Sequence, residues 1–169
     1  MSGVYNKYIN KGDSQMPNWC TNRVNVYSEN KKDLQKVYDI FANEKSVFGK
    51  VIPEPEWDKI PVDGEYPKKV EMKNRNGEVF AVVSEWSNGR QDDRWYDWRN
   101  HHWGTKWDVA GSVDVEKEEW EDEIESFEAN FQTAWAPPEG ICMQLRQQYP
   151  DVHISWFYDE PGNEVAGYL

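Results

Sequence analysis

At 169 residues, with 38% apolar and 15% aromatic side chains, the chain is the size of one domain whose core must be built largely from rings. Nineteen Lys and Arg against thirty-one Asp and Glu leave a net charge of −12, which repels a phosphate backbone and argues against direct nucleic-acid binding. No apolar run is long enough to cross a bilayer, and the opening MSGVYNKYINKGDSQ lacks the apolar stretch of a signal peptide. The expected setting is a reducing cytoplasm, with Cys20 and Cys142 buried as small hydrophobes.

Residues 1–15 are polar and read as a flexible extension ahead of a single domain over 16–169. In CTNRVNVYSE, Cys20, Val24 and Val26 alternate with Arg23 and Asn25, the period of a half-buried strand. NKKDLQKVYDIFANE then puts Leu34, Val37, Tyr38 and Phe41 at helical spacing behind Asn30 as N-cap. Residues 44–108 read as a Trp-rich insertion that decorates the domain. Its proline-rich part, 46–78, predicts an irregular loop, and EVFAVVSEW a strand. Asp92 or Asp93 can cap a helix through RWYDWRNHHW that stops at Gly104.

The second half is more regular. GSVDVEKEEW and IESFEANFQTAW predict an antiparallel pair with Phe127, Ala129 and Phe131 on one face. PPEGICMQLRQQYP predicts a helix, DVHISWFYDE a strand and EVAGYL a short closing strand after the PGN turn. This order gives an α+β fold: a ferredoxin-like antiparallel sheet with two helices on one face, plus the insertion between the first helix and the second core strand.

Four strings, MPNWC (16–20), WGTKWD (103–108), TAWAPP (133–138) and EPGNEVAG (160–167), resemble those of a phage- and plasmid-encoded family of unknown function with a YubB-like, ferredoxin-like domain. The resemblance implies the same fold, a mobile-element origin and a host-cytoplasm location. It implies no reaction, cofactor or catalytic residue.

No catalytic constellation is visible: there is no G-x-S-x-G, P-loop or G-x-G-x-x-G string. His101 and His102 diverge by ~100° on a helix, so one metal cannot take both, and neither a metal site nor a cofactor is expected. Trp95, Trp98 and Trp103 lie within an arc of roughly 140° and read as a packing stripe. Arg99, Trp103, Lys106, Trp107 and Asp108 are the candidate ligand or partner site, because a cation held over an indole can present charge to an anion. The other candidate is acidic: nine carboxylates between Asp114 and Glu128 face only Lys117. Glu116, Glu118, Glu119, Glu121, Asp122 and Glu123 form the expected partner face.

The functional expectation is an accessory protein that binds a host or phage protein without catalysis. An acidic inhibitor of a nucleic-acid-handling or defence system is one form of it. The alternative is a small-molecule site, for an anion or nucleotide, or an enzyme, at the Trp-rich insertion. Sequence leaves the oligomeric state open.

Overall fold

The computed structural model describes residues 18–43 and 46–169, so the expected extension at 1–15, and Met16 and Pro17 of the first string, lie outside the described residues. The described residues divide into two compact units, one holding 55–95 and the other 18–43, 46–54 and 96–169.

In the larger unit, β1 (Trp19–Tyr27) buries Cys20, Asn22, Val24 and Val26 and exposes Thr21, Arg23, Asn25 and Tyr27, as its alternation predicts. Helix α1 (Lys31–Phe41) follows, with the Asn30 side chain accepting from the Asp33 amide at 3.2 Å. A one-turn helix, α2 (Phe48–Val51), then leads to the other unit. Later come strands β4 (Ala110–Trp120) and β5 (Glu123–Ala134), helix α4 (Glu139–Gln148), and strands β6 (His153–Glu160) and β7 (Val165–Tyr168). The sheet runs β4-β5-β1-β6-β7, antiparallel throughout. Without β7, this is the strand order that a ferredoxin-like βαββαβ chain must adopt.

The core lies between α1, α4 and one sheet face. Leu34, Val37 and Phe41 from α1 and Ile141, Cys142 and Leu145 from α4 share it with Phe127, Phe131 and Trp156. Rings dominate it, as composition predicts: Phe41, Phe131 and Trp156 meet pairwise at 5.6–6.0 Å between centroids. Burying one such side chain contributes about 1.5–3 kcal/mol. Asn22 is a polar exception, fully buried, donating to Cys20 O and to Oγ1 of the equally buried Thr133 while its Oδ1 accepts from Trp156 Nε1.

The smaller unit contains a short 3-10 turn (Trp57–Lys59) and the hairpin of β2 (Lys68–Lys73) with β3 (Val79–Glu85). Arg94 is its clamp. Its guanidinium lies 5.2 Å from the Trp57 ring and 4.9 Å from the Trp86 ring, and it donates to Asp92, Ile60 O and Trp57 O. Helix α3 (Arg94–His102) starts where the Arg94 amide donates to Asp92 Oδ1 at 3.3 Å, the expected cap.

Two expectations change. The stretch 46–78 holds α2 and β2 besides irregular chain. Nor is all of 44–108 decoration: Val47, Phe48, Val51 and Trp103 lie in the main core, and the separate unit is 55–95.

Candidate functional site

The string WYDWRNHHWGTKWD is largely consumed by packing. Trp103 is 3% exposed, lies 5.8 Å from Phe48 ring to ring, and donates its Nε1 proton to Ile52 O at 3.0 Å. Trp98 packs against it at 5.9 Å, so the predicted stripe ends in core. Arg99 stacks 4.9 Å from the Trp103 centroid and donates through Nε (2.9 Å) and Nη2 to Glu54 Oε2. His101 and His102 are exposed, and His102 stacks on Trp98 at 4.5 Å. Among the described residues no cluster of three His, Cys, Asp or Glu could hold a metal ion.

Asp108 closes this framework. Its carboxylate accepts from the amides of Val47 (3.3 Å), Phe48 (3.1 Å) and Val109 (2.8 Å) and from Ser46 Oγ (2.7 Å). One side chain thus supplies the acceptors that the first turn of α2 leaves open. Gly104 ends α3 at φ +89, where a Cβ would stand 2.9 Å from Glu139 N. Lys106 is 8% exposed, and its Nζ lies 4.4 Å from the Trp107 centroid and 5.7 Å from that of Trp135.

The four strings, far apart in sequence, converge at this corner. Trp135 N donates to Asn18 O at 2.9 Å and Thr105 Oγ1 to Ala134 O at 2.8 Å. Trp19 and Trp107 lie 6.4 Å apart. Buried Glu160 accepts from the amides of Gly162 (3.2 Å) and Asn163 (2.6 Å), and a Cβ on Gly162 would fall 2.2 Å from Asn18 Nδ2. Trp135 itself sits at φ +71, a left-handed conformation costly for a bulky residue, with its indole partly exposed. Trp135 is not among the site residues that the sequence suggests; the signal that singles it out is its backbone. Cys20, also in the first string, offers no nucleophile, because burial pushes its thiol up to about 11.

The opposite face of the sheet is different. β1 presents Thr21, Arg23, Asn25 and Tyr27 there, and β4 presents Asp114, Glu116 and Glu118. Glu116 stands opposite Glu128, and Ser126 Oγ donates to Glu118 Oε2 at 3.0 Å. Pairing of β5 with β1 ends at Ser126 and Tyr27, whereas β4 and β5 continue to Trp120 and Glu123. The acidic hairpin therefore overhangs the central strand. Glu121 (φ 51) and Asp122 (φ 67) make a two-residue turn with both backbones left-handed. Beside them Trp120 is 69% exposed. The six expected acids are not one face. Glu116 and Glu118 lie on the open side, and Glu121, Asp122 and Glu123 surround the tip. Glu119, opposite the core residue Ile124, takes the ammonium of Lys117.

Comparison with known proteins agrees with this architecture. Residues 115–169 match the family model described as the ferredoxin-like domain in Api92-like protein. That region runs from mid-β4 to the C-terminal residue and includes α4. The solved structure of protein api92 from Yersinia pseudotuberculosis is similar at a TM-score of 0.57 and 11% identity, covering 90% of this chain and 93% of that one. At that identity the likeness is one of fold. No curated protein matches the chain. No helix of the described residues is long and apolar enough to cross a membrane.

Proposed function

We propose that the chain is an accessory protein that acts without catalysis, binding the basic surface of a host or phage protein through the overhanging β4–β5 hairpin. The carrying observation is Trp120, an indole 69% exposed at a tip that also holds Glu121, Asp122 and Glu123. A large aromatic anchor ringed by charge is the composition of a binding hot spot with a polar rim. The mobile-element origin and host-cytoplasm location that the four strings imply would supply such a partner. Inhibition of a nucleic-acid-handling system is the form that a net charge of −12 favours, since carboxylates can occupy a phosphate track. The test is capture from host lysate by the wild type and by the triple reversal E118K/E121K/D122K. The reading requires a salt-sensitive partner that the reversal loses; equal capture by both sinks it.

A second reading keeps Lys106, Trp107 and Trp135 as a small-molecule site for an anion or nucleotide. The observation in its favour is that Trp135 holds a left-handed backbone while its indole remains partly exposed over a buried cation. Quenching of tryptophan emission by a nucleotide, lost in Lys106→Ala, supports it. No quenching and no thermal shift across a nucleotide panel removes it.

A further inference from the structure

We infer that the open face of the five-stranded sheet docks one cationic amphipathic helix of a partner protein. The inference rests on the binding role proposed above and names both the surface and the element that the partner brings to it. Helices α1 and α4 cover the other face of this sheet. Register fixes what the open face displays. The row through Arg23 runs from Asp114 on β4 to Phe157 on β6 and Tyr168 on β7. The next row sets Glu116 beside Glu128, and a third has Glu118 at its side and Tyr27 at its centre.

The two flanks of this face differ in chemistry. Asp114, Glu116, Glu118 and Glu128 stand on the β4–β5 flank, and the nearby cations are turned from it. Lys117 points to the helix layer, 5.4 Å from the Tyr38 ring, and Arg23 lies 5.4 Å from the Phe157 ring. On the β6–β7 flank, Phe157 and Tyr168 meet edge to face at 5.3 Å. Tyr168 is 71% exposed there, and Tyr27 is 49% exposed between the flanks. An acidic flank beside an aromatic one is the complement of a surface that is basic on one side and apolar on the other.

Spacing selects a helix as the occupant. A lone strand laid on a sheet face leaves its own amides and carbonyls unpaired, whereas a helix satisfies its own. Three strand intervals separate β4 from β6, about 14 Å, which seats one helix about 10–12 Å across. Alternate carboxylates on β4 recur every ~6.8 Å, and side chains at i, i+4 and i+8 of a helix every ~6 Å. Arginines at those positions therefore reach Asp114, Glu116 and Glu118 in turn, while the opposite side of the helix meets Phe157 and Tyr168. The chain's net charge of −12 draws such a segment in.

The probe is a dye-labelled peptide of about eighteen Ala, Leu and Arg residues, long enough to be helical in water. Its arginines stand at i, i+4 and i+8 and its leucines opposite them. A control of the same composition spreads the arginines around the helix. Fluorescence anisotropy with the full chain should show the first peptide binding about tenfold tighter than the control, and less tightly as salt rises. Glu116→Lys, which leaves a Lys–Glu pair in the ladder, should weaken binding about tenfold, and Tyr168→Ala about fivefold. Asp39→Lys, the same change of charge on the exposed side of α1, should weaken it less than about twofold. Equal binding of the two peptides overturns the inference, as does equal loss in Glu116→Lys and Asp39→Lys. Loss confined to Trp120→Ala also overturns it, while leaving the hairpin tip as the binding element.

Discussion

Glu116 of β4 stands directly across the ladder from Glu128 of β5, two carboxylates in one antiparallel register pair. Like charges so placed weaken a sheet by a few tenths of a kcal/mol, a cost that the fold alone gives no reason to carry. Glu128→Lys converts the pair to opposite charges. The expected result is a gain of about 0.5 kcal/mol in chemical denaturation, accompanied by weaker and less salt-sensitive binding of a basic partner. A loss of stability would instead show that Glu128 is needed for its hydrogen bond from Asn130 Nδ2.

Asp108 separates architecture from ligand binding. Its oxygens serve the amides of Val47 and Phe48, so Asp108→Ala should destabilise the larger unit by about 2 kcal/mol through the lost cap. Asp108→Asn keeps the shape but halves the acceptors, and it should fall between the two in a urea titration. If Asp108 served a ligand instead, both variants would melt like the wild type.

Alternation over Trp19–Tyr27, the i, i+3, i+4, i+7 set of Leu34, Val37, Tyr38 and Phe41, and the triplet Phe127, Ala129, Phe131 made the α+β layout readable from sequence. Helix α2 was not readable, because four residues span barely one turn and its cap, Asp108, lies 60 positions away in the chain. β2 was hidden for another reason. KKVEMK is mostly charged and exposed, and only its pairing with β3 makes it a strand. At the site, the tryptophan stripe could be read but its consumption by Phe48 and Ile52 could not, since those contacts cross some fifty residues. The acidic excess was visible too, whereas its division between an open face, a tip and the Lys117 pair depends on register.

Trp120→Ala isolates the proposed anchor. The side chain is already in water, so stability should stay within about 0.5 kcal/mol of wild type by thermal melting. Binding should weaken by about 2 kcal/mol or more, roughly thirtyfold in Kd by calorimetry with the captured partner. Unchanged affinity moves the interface away from the hairpin tip.

Cys20 and Cys142 are both free and fully buried, and burial is the main cause that raises each thiol from 9.0 to about 11. At pH 8 neither should react with a thiol reagent until denaturant is added, which absorbance of the released chromophore reads directly. The same shift sets a pH dependence. Unfolded thiols lose their protons near 9.0 while the folded ones keep theirs to about 11. The folded state therefore binds more protons in that window. Its stability from this source is full below pH 9 and should fall as pH rises toward 11. Denaturation midpoints at successive pH values should decline there for the wild type. A Cys20→Ser/Cys142→Ser double variant should show a smaller decline, and equal slopes would place the alkaline loss in other groups.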